Sequence, residues 1–156
     1  MENLDRFYPV HAQYFDTALA EIRDGRKESH WMWYIFPQLR GLGYSHAAQY
    51  YGLTGLDEAC RFSADPVLGE NLRTITRALL AQPVRNAFAI FGGTDAMKLR
   101  SCMTLFELAD PDCGLFTKVL EEFSAATGIK RQWNYSDKKS DCTLSCSPIF
   151  YAPGWI

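Results

Sequence analysis

The chain has 156 residues, 47% of them apolar and 22% charged, with 16 basic against 18 acidic side chains and 10 Phe, 8 Tyr and 4 Trp. Such an aromatic-rich, charge-poor composition excludes a disordered chain, and the length supports one domain whose core needs no disulfide or metal staple. A net charge of −2 lacks the basic excess of a nucleic-acid-binding domain.

The longest apolar run, Trp31 to Phe36, is too short for a membrane span, and the first residues carry no cationic region followed by an apolar stretch. A cytoplasmic protein with no nucleic-acid or membrane partner is the expectation. Five cysteines cannot all pair. Cys142 and Cys146 have no second ligand pair nearby, so no metal site and no cofactor is expected.

In chain order the signals are helical. His11 to Asp24 places Tyr14, Phe15, Ala18, Leu19 and Ile22 on one face, with Pro9 suited to the helix start and Gly25 to its C-terminal cap. Ser29 to Leu39 is nearly all apolar or aromatic and has no amphipathic period; Pro37 and the glycines after it predict a short buried helix followed by an irregular loop. Ser45 caps a helix to about Leu53, and Leu56 to Phe62 fits another. Asp65-Pro66 is an N-cap acid with proline at the first helical position, predicting a helix to about Ala81. A turn or two over Val84 to Phe91 should stop at Gly92-Gly93. Thr94 or Asp95 then starts a helix to about Ala109, and Asp110-Pro111 predicts a last one to about Thr127. The expectation is an all-α, compact single-domain bundle of seven or eight helices over residues 1–128. Residues 129–156 form an atypical extension, packed on the bundle or partly mobile, with Trp133, Phe150 and Trp155 as anchors.

Two stretches concentrate reactive groups. The first holds Arg26, Lys27, His30, Trp31, Trp33 and Gln38. There His30 suits general acid–base chemistry, the indoles suit stacking on a planar ligand, Arg26 and Lys27 suit an anion, and Gln38 suits an amide or base edge. The second runs from Gly92 to Phe106. On its helix Asp95 and Lys98 fall on the apolar side, where Lys98 would meet a ligand anion and Ser101 and Thr104 would add hydroxyls. The structural alternatives are a hydrogen-bonded core histidine, core aromatics and an Asp95–Lys98 ion pair.

These stretches carry a resemblance. Arg26-Lys27, Ser29-His30-Trp31-Met32-Trp33 and Phe36-Pro37-Gln38-Leu39-Arg40-Gly41-Leu42-Gly43 match, followed by Leu56-Asp57-Glu58-Ala59 and Pro66-Val67-Leu68-Gly69. Ile90-Phe91-Gly92, Asp95, Lys98-Leu99-Arg100-Ser101 and Met103-Thr104-Leu105-Phe106 complete the set. Over about residues 4–125 the sequence resembles the domain of unknown function 1810 family, sometimes labelled calpastatin-like. Nothing here is similar to the short repeated segments of an unfolded protease inhibitor. The resemblance implies a compact all-α domain and no activity. It departs at His11, where the family commonly has Gln, and after Gly128.

The resulting functional expectation is a pocket for a planar anionic ligand of nucleotide or ADP-ribose type. His30 and Asp95 would be its acid–base or orienting groups, and Arg26, Lys27, Trp31, Trp33, Gln38, Lys98, Ser101 and Thr104 its ligand contacts. Hydrolysis at a glycosidic or phosphate linkage is the chemistry those groups suit best. The alternative is a non-catalytic protein-interaction module using the C-terminal segment.

Overall fold

The computed structural model describes residues 3–124. The expected extension, with Trp133, Phe150, Trp155, Cys142 and Cys146, lies outside the described residues. A 3-10 turn, Leu4–Arg6, leads into α1 (Tyr8–Arg23), α2 (Met32–Ile35), α3 (His46–Tyr51), α4 (Leu56–Ala64), α5 (Leu68–Leu80), α6 (Ala87–Ala109) and α7 (Leu115–Ser124). The fold is all-α. Residues 39 and 53 alone form an isolated parallel bridge among the described residues.

α6 lies against α4 and α7, α5 packs on α1, α4 and α7, and the short α2 bridges α1 and α3. Phe7, Ile22, Trp31, Phe36, Phe62, Leu72, Ile75, Phe106 and Phe116 fill the centre. Burying an aliphatic or Phe side chain of this kind contributes about 1.5–3 kcal/mol. Pro9 does stand in the first turn of α1, and Ala18, Leu19 and Ile22 of the expected face are buried. Ser45 caps α3 by accepting the Ala48 N–H, and the Asp65 carboxylate accepts those of Val67 and Leu68 ahead of α5.

Two elements differ from expectation. The helix expected at Asp110-Pro111 begins only at Leu115. The Asp110 carboxylate faces away from a capping role: it accepts the Ser63 hydroxyl at 2.9 Å and pairs with Arg73 at 3.5 Å. Gly92-Gly93 separates two helical stretches as expected, but the stretches share one element. The break is confined to Gly92, whose φ of 75° and ψ of 173° are open only to glycine.

Two buried polar groups complete the framework. His11 donates from Nε2 to the Tyr34 carbonyl at 2.8 Å and accepts at Nδ1 from the Asn71 amide at 3.1 Å. Those partners fix the neutral tautomer. Burial lowers its pKa, only partly opposed by the Tyr34 carbonyl. Glu58 is fully buried, 2.6 Å from the Arg6 guanidinium, and accepts the Thr54 N–H at 2.7 Å.

Candidate functional site

The segment after α1 must turn sharply to bring Trp31 into the core, and one carboxylate organises that turn. Glu21, in the last turns of α1, accepts the Glu28 N–H at 2.8 Å, the Ser29 N–H at 3.0 Å, the Ser29 hydroxyl, and the Trp31 indole N–H at 2.7 Å. Burial alone would raise its pKa, but these donors outweigh burial and hold it down at about 2. Glu21 thus stays ionised and lets an indole N–H enter the core with a partner.

Lys27 then folds over the buried ring. Its Nζ lies 4.9 Å from the Trp31 centroid, donates to the Ser29 carbonyl at 2.5 Å and pairs with Asp95 at 2.7 Å. Its backbone N–H donates to the Ile90 carbonyl at 2.8 Å, a group that the break at Gly92 releases from the helical pattern. Asp95 also holds Lys98 at 2.9 Å, and Lys98 Nζ stands 4.3 Å from the centroid of Trp33. Burial works to raise the Asp95 pKa, but hydrogen bonds from both lysines prevail and keep it below the usual carboxylate range. The two sequence stretches therefore meet in one cluster: Lys27, Asp95 and Lys98 with the faces of Trp31 and Trp33.

A groove of about 740 Å³ opens beside this cluster. Arg6, Arg40, Tyr44, His46, Gln49 and Tyr50 line it, with Asn3, Gly41 and Gly43. Tyr44 is 93% exposed and Tyr50 49%. The His46 ring stacks on Tyr50 at 5.9 Å with 9° between planes. No acidic side chain lines it among the described residues. Gly43 links groove and cluster, since a Cβ there would stand 2.6 Å from Trp33 Cη2.

A family model described as protein of unknown function, DUF1810, matches residues 1–133. The chain belongs to the DUF1810 family. The chain is also similar to the crystal structure of the conserved hypothetical protein Rv1873 from Mycobacterium tuberculosis, at 35% identity and a TM-score of 0.74 over 81% of this chain and 97% of that one. No curated protein matches. The family match runs past residue 128, to 133.

Other residues singled out in this DUF1810 chain take different places. Arg26 and His30 are exposed; the His30 carbonyl accepts the Tyr34 hydroxyl at 3.1 Å. No hydrogen bond or ion pair joins the His30 ring to Asp95 among the described residues. Gln38 is buried, and its carbonyl accepts the Leu53 N–H at 2.9 Å. The Ser101 and Thr104 hydroxyls donate one turn back, to Met97 at 3.2 Å and Arg100 at 2.8 Å. Among the described residues no group of three His, Cys, Asp or Glu could hold a metal ion, and no helix is long and apolar enough to cross a membrane. Sequence reasoning missed Glu21, although a core indole N–H demands an acceptor. Tyr44, His46 and Tyr50 were not among the expected ligand contacts, although Tyr44 and Tyr50 follow Gly41 and Gly43 as aromatics next to the polar stretch.

Proposed function

We propose that this protein binds a planar anionic small molecule of the nucleotide or ADP-ribose class, and that the groove between Arg40 and Tyr50 receives it. The observation that carries this reading is the exposure of Tyr44 and Tyr50 in a groove that no acidic side chain lines among the described residues. An exposed phenol ring offers a stacking face, and a lining with basic and without acidic side chains among the described residues favours an anion. The volume of about 740 Å³ falls in the range of small-molecule sites. Lys27, Asp95, Lys98 and Trp33 serve in this reading as the groove's support.

Binding rather than hydrolysis is the favoured activity, because Asp95 is committed to two lysines and held ionised. Titration calorimetry with AMP, ADP and ADP-ribose tests the reading, with Tyr44→Ala as the control and chromatography of the recovered ligand for any hydrolysis. A ligand at 100 times its Kd should add about 2.7 kcal/mol of stability. Binding that Tyr44→Ala leaves intact, or none with any probe, refutes the groove as the site.

A protein-contact role is the second reading. Val84, Phe88 and Met97 are 51%, 39% and 50% exposed, and the last two border a narrow apolar cleft of about 30 Å³ between α6 and α7. Its test is sedimentation of wild type against Met97→Asp: self-association that the aspartate abolishes supports it, and a concentration-independent monomer counts against it.

A further inference from the structure

The loop from Arg40 to Ser45 carries the groove's most exposed ring. Its ends are pinned. The Arg40 N–H donates to the Leu53 carbonyl at 2.8 Å, and the Ser45 hydroxyl accepts the Ala48 N–H at 3.1 Å. Between them, residues 40 and 41 form a turn, and the Tyr44 carbonyl accepts the Gln49 side-chain amide at 3.2 Å. Packing adds to these ties, and Gly43 supplies it. A Cβ at that position would lie 2.6 Å from Trp33 Cη2 and 2.9 Å from Ala48 Cβ, so the backbone rests directly on the indole edge.

Trp33 is half-buried and packs against the core, and a charge adds to that hold. Lys98 Nζ stands 4.3 Å from its centroid and is held there by Asp95 at 2.9 Å. Asp95 is anchored in turn by Lys27 at 2.7 Å, whose backbone is tied to α6 through Ile90. A lysine on an exposed helix face samples many rotamers. Here an acid one turn earlier narrows that freedom to a pose above the ring.

We propose that Asp95 and Lys98 are positioning residues for the groove: acting through Trp33, they hold the Arg40–Ser45 loop in the arrangement that presents Tyr44. The ligand assignment of the groove is the reading that this rests on, but the support itself has a readout that needs no ligand. It gives the Asp95 and Lys98 of the second sequence stretch a role in the site without direct ligand contact.

Limited trypsin cleavage after the exposed Arg40, followed by mass spectrometry under native conditions, reads the loop directly. Losing the cation–ring contact in Lys98→Met should raise that cleavage rate about five- to tenfold, whereas Lys98→Arg should stay within about twofold of wild type. Gly43→Ala should raise it as well without touching Lys98. Cleavage after Arg23 should change no more than global stability requires. In parallel, Lys98→Met should weaken the binding of AMP or ADP-ribose by about fivefold, with Lys98→Arg restoring it.

Unchanged cleavage after Arg40 in Lys98→Met overturns the proposal. So does an equal acceleration at every site, which marks a merely structural residue. If wild type binds no nucleotide while the loop loosens as described, the ligand reading fails and the positioning role stands. If wild type binds nucleotide and the loop does not loosen, the reverse holds.

Discussion

Replacing Glu21 with Gln keeps the side chain's shape and removes its charge. One of its two oxygens becomes an NH₂ facing donors: the Glu28 and Ser29 amides, the Ser29 hydroxyl and the Trp31 indole N–H. The size of the loss follows from the carboxyl's own titration. Its pKa falls from 4.5 to about 2 on folding, which corresponds to about 3 kcal/mol of preference for the ionised form. Glu21 is half-buried, and solvent screening reduces the expected cost to about 2 kcal/mol. A lowered carboxylate pKa contributes stability that is complete above the unfolded value of 4.5 and is lost as pH falls towards 2. The urea-unfolding gap between wild type and Glu21→Gln should therefore be about 2 kcal/mol at pH 7 and below about 1 kcal/mol at pH 3. A gap near zero at pH 7, or one unchanged at pH 3, would refute the reasoning. Trp31 fluorescence supplies a local readout, since the variant's indole N–H loses its ionised acceptor.

The buried Arg6–Glu58 pair should be costly to halve: Glu58→Ala strands a guanidinium in the interior, and thermal unfolding should show a loss of about 3–5 kcal/mol. His11 takes up its proton less readily folded than unfolded. Its contribution is thus intact above the unfolded pKa of 6.5 and declines as pH drops below it, and His11→Gln should flatten that part of a stability–pH profile. At Gly92, a Cβ meets no neighbour within 4 Å, but φ is +75°, so Gly92→Ala should cost about 1–3 kcal/mol of backbone strain in urea denaturation.

Helix caps and helix faces were the most legible parts of this chain because both are local. Ser45 and Asp65 satisfy amides within three residues of themselves, and the α1 stripe of Ala18, Leu19 and Ile22 needs only the helical period. Asp110 carries the same local signal as Asp65 and behaves otherwise. Ser63 and Arg73, 47 and 37 residues away in sequence, compete for its carboxylate, and a tertiary partner of that kind has no local mark. Glu21 was illegible for a related reason. Its position on α1 reads as ordinary helix surface, and only the return of residues 28–31 across it makes it an acceptor. The meeting of Lys27 with Asp95 was legible in outline, as two polar-bearing apolar stretches in search of each other. The groove was not, because Arg6 and Arg40 enter it from segments that only the folded chain places side by side.

The arrangement of charge explains why the most reactive-looking residues are not the most exposed ones. Trp31 and Trp33 each carry an ammonium over the ring, and a single carboxylate, Asp95, serves both ammonium groups. With the ionised Glu21 on the Trp31 indole N–H, two cations meet two anions and the cluster beneath the Gly43 loop is balanced. It supports the loop without drawing an anion itself, so attraction of an anion falls to the basic side chains that line the groove. Charges at an open surface are screened by salt. The affinity of an anionic probe should therefore fall between low and physiological salt, and an affinity that salt leaves unchanged would refute an electrostatic role for the groove.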